Sequence, residues 1–205
     1  MSIPVHNYKQ KTVEGKAGVA TVARWLLRHP LVVDITDHQE TAEFRSKDVD
    51  LLASIVVHDG TRRHIPVEVK ADSHGLTNLY FETVSNLSKG TPGCLMYTAA
   101  TIVAYLYTQQ DVLLLLPFPE FREWFLAHED EFIDKRVGTS NDYGVYWSAG
   151  KVIPLKRVIS EERALVVRLD HPPETYRRQL AAMLLRPPGG GAQNGSCTLR
   201  HGTVS

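Results

Sequence analysis

Two stretches of alternating polarity, joined by a tight-turn signal, constrain this chain more than any other feature. From Val49 to His58 the odd positions Val49, Leu51, Ala53, Ile55 and Val57 are apolar. From Arg63 to Ala71 the odd positions Ile65, Val67, Val69 and Ala71 are apolar again. Asp59-Gly60 lies between them and signals a hairpin, giving strands over Asp50–His58 and Arg63–Ala71. Side chains alternate faces along a strand, so a shared apolar face requires odd positions to sit opposite odd positions. A three-residue connection, Asp59-Gly60-Thr61, or a glycine bulge delivers that register. The even positions then form a polar face with Asp50 on one strand and His64, Glu68 and Lys70 on the other. Asp50 lies directly across from Glu68 or Lys70, so two carboxylates and an ammonium converge within about 5–8 Å.

Such a group suits a hard divalent cation. Two carboxylates hold Mg²⁺ or Mn²⁺ through oxygen, leaving other coordination positions for water and a substrate phosphate. The ion acidifies a bound water, and a lysine can orient that water or stabilise charge on a phosphodiester. The competing interpretation is a cross-strand ion-pair network that serves stability alone, since Glu-Val-Lys is by itself an ordinary tripeptide.

The remainder of the chain supplies an α/β setting. Val19, Val22, Ala23, Leu26 and Leu27 share one face of a helix expected over Glu14–His29, ended by Pro30. Leu31–Thr36 reads as a strand and Asp37–Lys47 as a loop or frayed strand. Leu79–Val84 is apolar and aromatic, Thr98–Tyr107 is compatible with helix or strand, and Val112–Leu116 has the composition of a buried strand. Pro119–Phe132 carries Phe121, Trp124, Phe125, Ala127 and His128 at helical spacing, which assigns its aromatics to a core and not to base stacking. Val145–Trp147 and Val152–Leu155 flank Ser-Ala-Gly as an expected second hairpin, and Gly138–Gly144 reads as a flexible polar stretch. Glu174–Leu185 is a last amphipathic helix. The 205 residues, 43% hydrophobic and 22% charged, suffice for one domain over 1–186. Residues 187–205, rich in Gly and Pro, form a flexible tail that cannot bury enough to order itself.

Helix, strand, Asp50-Leu51-Leu52 strand, hairpin and Val67-Glu68-Val69-Lys70, in that order, resemble the core of the PD-(D/E)XK, or restriction-endonuclease-like, nuclease superfamily over about residues 14–117. The resemblance implies a mixed central sheet flanked by helices. It implies Asp50 and Glu68 as metal ligands, the Val69 carbonyl as a backbone ligand, Lys70 as the catalytic lysine and Glu14 as an additional ligand from the first helix. Asp50 follows Val49 where the superfamily often has proline. Asp48 is the competing assignment, and Asp50 is preferred because the expected strand follows it directly. The implied activity is a Mg²⁺-dependent (or Mn²⁺-dependent) deoxyribonuclease, an endonuclease in preference to an exonuclease, acting in repair, recombination, restriction or phage DNA processing. The alternative is a non-catalytic nucleic-acid-binding or interaction protein that retains the fold.

Other features add or exclude partners. His74 and Glu82, in polar segments just after the lysine strand, are accessory candidates whose bland alternative is a hydrogen-bonded loop and a capping carboxylate. Arg45, Lys47, Lys89, Lys135 and Arg136 are candidate DNA-phosphate contacts, each also readable as a solvated charge. Lys+Arg and Asp+Glu stand at 23 each, so no overall basic field advertises nucleic acid. No Cys-x-x-Cys or His-Glu-x-x-His spacing supports zinc, no Gly-x-Ser-x-Gly elbow a serine hydrolase, and no Gly-x-x-x-x-Gly-Lys loop a nucleotide motor. The apolar runs Ile102–Tyr107 and Val112–Phe118 are too short to span a bilayer. With no leader-like start and two cysteines, the expectation is a soluble chain of the cytoplasm or nucleoid, with DNA as partner, no membrane, and room for a homodimer.

Overall fold

The structure, a computed structural model, describes residues 5–186. The expected tail over 187–205 therefore lies outside the described residues. Strand β1 (Val5–Asn7) leads directly into α1 (Tyr8–Leu26). The helix begins six residues before the expected Glu14. Its first turns carry no apolar stripe, and its start is fixed by the Asn7 side chain, which accepts the Gln10 N–H. β2 (Val32–Asp37) follows, then the one-turn helix α2 (Ala42–Arg45) inside the expected loop.

The alternating hairpin forms as β3 (Leu51–Val56) and β4 (Arg62–Asp72), with Leu51 opposite Val67, Ala53 opposite Ile65 and Ile55 opposite Arg63. Odd positions thus face odd positions. The connection is His58-Asp59-Gly60, closed by Val57 N–H donating to the Thr61 carbonyl at 3.0 Å, with Gly60 at φ +80°. It has the expected length and sits one residue earlier, because glycine takes the left-handed position.

β5 (Asn78–Asn86), β6 (Thr91–Pro92) and α3 (Cys94–Tyr97) come next. β7 (Ile102–Tyr107) resolves the helix-or-strand ambiguity in favour of a fully buried strand, followed by β8 (Val112–Pro117) and α4 (Phe118–Ala127). β9 (Ile133–Asn141) and β10 (Gly144–Pro154) form the second hairpin, and α5 (Leu155–Ser160), β11 (Leu165–Arg168) and α6 (Arg177–Leu184) finish the described chain.

Two sequence expectations are overturned here. Ser148-Ala149-Gly150 is no turn: β10 runs straight through it, with a register shift between Ala149 and Gly150. Gly150 serves close approach, since a Cβ there would lie 2.1 Å from the Phe81 carbonyl oxygen. The turn is instead at Asp142-Tyr143, so the polar stretch 138–144 is largely strand paired to β10.

The strands form two mixed sheets in place of one. The larger has order β11-β8-β7-β4-β3-β2, with β4 and β7 parallel and its other neighbours antiparallel; the smaller has order β1-β9-β10-β5-β6. One face of the larger sheet carries Leu51, Val67, Val69, Ala104 and Leu106 against Val19, Val22 and Trp25 of α1 and Leu180 of α6. Gly18 packs on Ala71 so closely that a Cβ would meet it at 2.7 Å. The other face carries Val103, Tyr105 and Tyr107 against Leu79, Phe81, Phe118, Phe121 and Trp124, so the aromatic helix is core, as expected. The even face of β4 therefore looks toward the smaller sheet. No helix among the described residues is long and apolar enough to cross a membrane.

Candidate active site

Glu68 and Lys70 project from the even face of β4, and extending the β3–β4 register by one residue puts Asp50 opposite Glu68. Lys70 Nζ lies 2.5 Å from Glu68 Oε1 and 3.8 Å from Asp48 Oδ2. One Asp50 oxygen, Oδ2, accepts the Val69 N–H at 3.0 Å. On an extended strand the N–H and C=O of one residue point the same way. The Val69 carbonyl therefore also faces the β3 side, beyond the end of the β3–β4 ladder.

Asp48 joins these residues as firmly as Asp50 does. It lies at φ +51°, a left-handed conformation uncommon for any residue but glycine and tolerated best by Asp and Asn. Its backbone is held on both sides: Thr98 Oγ1 donates to the Asp48 carbonyl, and Ala99 N–H donates to that of Lys47 at 2.8 Å. Its Oδ2 is buried without a hydrogen-bond partner. A strained backbone and a buried carboxylate oxygen with no hydrogen bond, 3.8 Å from Lys70, in the same residue are the kind of local cost that functional sites retain.

Glu82 is the fourth carboxylate. β5 runs back over β4 and β7, tied down where the Tyr107 hydroxyl donates to the Asn78 carbonyl at 2.8 Å and Tyr80 N–H donates to the Tyr105 hydroxyl at 3.1 Å. That path carries Glu82 toward Lys70, where its charge is felt together with that of Asp48. Cys94 lies beneath the same group, buried and unpaired by any disulfide.

The electrostatics follow from burial. Glu68 is only 4% exposed, and desolvation pushes its carboxyl well above the usual range, assisted by Asp48 and Asp50 and opposed by Lys70. Asp50 is pushed up by burial as well, against the Val69 N–H and Lys70, and Glu82 likewise, against a hydrogen bond from Ser148. Burial alone would lower the Lys70 ammonium, but the surrounding Cys94, Glu68 and Asp48 act the other way and hold it well above its usual range. The Cys94 thiol is itself raised by burial to about 12, so it is neutral at neutral pH.

The donors are all hard oxygens, the kind a Mg²⁺-type ion takes, and Asp48, Asp50, Glu68 and the Val69 carbonyl are the residues that could hold one. Among the described residues no three Asp, Glu, His or Cys side chains stand close enough to grip one ion as they are. Lys70 is the cation that lies between Glu68 and Asp48.

Other expected participants sit apart. Glu14 is on α1, which packs against the odd face of β4, and its carboxylate engages Gln10 at 2.9 Å and Lys11 at 3.3 Å. His74 lies beyond the end of β4, its Nδ1 2.7 Å from Asp72 Oδ1. Lys47 pairs with Glu43, Arg45 and Lys89 are exposed, Arg136 is exposed on β9, and Lys135 lies over the Tyr80 ring. Sequence reasoning missed Cys94, Thr98, Tyr105 and Ser148 around the site; no spacing links these to Glu68, and only the fold brings them in. Compared with protein-family models, with curated proteins and with solved structures, the chain has no match.

Proposed function

We propose that this protein is a metal-dependent deoxyribonuclease, an endonuclease that hydrolyses DNA phosphodiester bonds at the Asp48–Asp50–Glu68–Lys70 cluster. The observation that supports the reading is the buried Asp48 Oδ2, which has no hydrogen bond and only a long, 3.8 Å ion pair to Lys70, beside Glu68: an oxygen that a metal ion could still take up. When bound, Mg²⁺ supplies an acidified water and neutralises charge on the phosphate. Asp48, Asp50 and Glu68 hold it, the Val69 N–H fixes the orientation of Asp50, and Lys70 offers its proton-bearing ammonium to the attacked phosphate. The Lys70 charge in turn favours the ionised form of Glu82 against burial. The preference for DNA rests on the resemblance to the PD-(D/E)XK superfamily.

One observation favours the other reading, a nucleic-acid-binding or interaction protein without catalysis: Lys70 already satisfies Glu68 as an ion pair. A plasmid-nicking assay separates the two. Cleavage is expected with Mg²⁺ or Mn²⁺ and lost in excess EDTA, with Ca²⁺ binding but supporting little turnover because its looser geometry positions water poorly. Full cleavage in EDTA sinks the metal assignment, and plasmid left intact under every condition favours the non-catalytic reading.

A further inference from the structure

One strand repeat from Lys70 and Glu82 lies a second group of side chains that the proposed reaction does not use. Glu68, Lys70 and Asp72 alternate onto one face of β4, and Tyr80 and Glu82 onto one face of β5, so both strands set the second group about 7 Å from the first. Asp72 is its anchor. It accepts the Tyr105 hydroxyl on Oδ2 at 2.7 Å, and the His74 N–H at 2.8 Å and His74 Nδ1 at 2.7 Å on Oδ1. Tyr105 is in turn the neighbour of Lys70 in the parallel β4–β7 register.

This arrangement fixes the His74 ring. Nδ1 is directed at Asp72, which leaves Nε2 as the free end of a side chain that is 64% exposed. The His6 ring, from β1 of the other sheet, stands edge-on to it with centroids 6.3 Å apart. Lys135 of β9 lies over the Tyr80 ring at 5.5 Å, with no ion pair to it among the described residues. Burial first, and then the charges of Lys11, His74 and Lys135, lower the basicity of His6, against the Glu14 carboxylate. The two carboxylates nearby are engaged, Asp72 by its three donors and Glu14 by Gln10 and Lys11. His74 Nε2 and the Lys135 ammonium are left without a hydrogen-bonding or ion-pair partner among the described residues.

We propose that His6, His74 and Lys135 form a subsite for one non-reacting phosphate of the nucleic-acid strand, next to the phosphate attacked at Lys70. The inference rests on the nuclease reading for its ligand, and on this cluster alone for its preference for an anion. An imidazole held by a carboxylate, a second imidazole and a flexible ammonium match the donor needs of a phosphodiester. Asp72, which holds His74, stands one strand repeat from Lys70, about 7 Å and about the reach of one nucleotide. The subsite would fix the register of the strand and leave the chemistry to the carboxylates.

Two measurements test it. In the first, the imidazole NMR signals are titrated with inorganic phosphate against sodium chloride at matched ionic strength. His6 and His74 are expected to shift together and saturably with phosphate, and Lys135→Gln to weaken that response by about tenfold or more. Rings that respond no differently to phosphate than to chloride overturn the subsite. In the second, single strands carrying one neutral methylphosphonate at successive positions are assayed for Mg²⁺-dependent cleavage. The wild type is expected to lose rate at one position adjacent to the cut, and the His74→Gln, Lys135→Gln double variant to lose that discrimination. Equal sensitivity in wild type and double variant overturns the assignment. Rings that answer to phosphate in a protein that neither binds nor cuts DNA overturn the nucleic-acid ligand together with the nuclease reading, while an anion site stands.

Discussion

Gly93 lies so close to Glu82 that a Cβ built on it would fall 2.1 Å from the Glu82 carbonyl oxygen and 2.8 Å from the Glu82 Cβ. The φ of Gly93 is −82°, so glycine is required there for space and not for backbone conformation. Gly150 meets the other side of the same strand, with a virtual Cβ 2.9 Å from the Glu82 Cα. The buried carboxylate above Lys70 is thus held in place by two residues that contribute no side chain.

Gly93→Ala is therefore expected to displace β5 at Glu82. The intruding atom meets backbone, which cannot swing aside, so the protein should lose about 1–3 kcal/mol of stability. Cleavage should fall beyond what that loss explains, because Glu82 moves relative to Lys70. Thermal denaturation alongside cleavage rates at a temperature where both proteins remain folded checks this. A variant with wild-type melting and wild-type rate would show that β5 has slack at this point.

Lys70→Ala and Glu68→Ala should separate catalysis from ion binding. Removing Lys70 leaves Asp48, Asp50 and Glu68 to hold the ion but removes the positive group aimed at the phosphate. The rate should drop about 10²–10³-fold, the scale for losing one such stabilising donor. DNA affinity should change little, since one phosphate contact is a small share of the total. Glu68→Ala should lose Mn²⁺ binding and cleavage together. Calorimetric titration with Mn²⁺ and a nicking assay on both variants give the comparison. A Lys70→Ala protein that cuts at the wild-type rate would move the chemistry away from β4.

The hairpin was legible in the sequence because alternation over many residues fixes parity, and parity alone puts Asp50, Glu68 and Lys70 on one face. The core role of Phe121, Trp124 and Phe125 was legible for the same reason, through helical spacing. The second sheet was not. Its formation depends on Gly150 permitting close approach to Phe81, and in a sequence such a glycine is indistinguishable from a turn glycine. Asp48 was underweighted because strand logic favours the residue next to the strand. Its claim comes from a left-handed backbone and an unpartnered oxygen, which no local pattern announces. Glu14 carried the right charge at the right end of a helix, but α1 covers the opposite face of β4.

Acidity should couple to both metal binding and stability. Burial raises the carboxyls of Glu68, Asp50 and Glu82 in the folded chain. Groups with a raised folded pKa contribute stability that is fully present below their unfolded values and is lost as pH rises through the folded ones. The metal-free protein should accordingly lose stability as pH rises above the ordinary carboxylate range toward neutrality, and Glu68→Gln should flatten that slope. Metal binding needs the deprotonated forms, so Mn²⁺ affinity should rise over the same interval, with protons released on binding. Melting curves and calorimetry across pH check both signs. Metal affinity that is flat across the interval would place the ion at other residues.

Asp48 provides the sharpest separation between structure and function, because its substitution should move stability and metal binding in opposite directions. Asp48→Gly removes the steric cost of φ +51° and the buried unpartnered oxygen at once. It also removes the more distant of the two carboxylates around Lys70, at 3.8 Å against 2.5 Å for Glu68. The metal-free protein should melt no lower than wild type, and relief of a left-handed non-glycine residue would raise its stability by about 1 kcal/mol. Mn²⁺ binding and cleavage should fall steeply in the same protein. Asp48→Asn, which tolerates the left-handed conformation and keeps the shape, should lose metal binding without the gain in stability. If Asp48 served only to pair Lys70, both substitutions would lower the melting temperature and leave metal affinity unchanged, and Asp50 with Glu68 would be the whole ligand set. Melting curves of the metal-free proteins, read beside Mn²⁺ titrations of the same samples, distinguish the two cases.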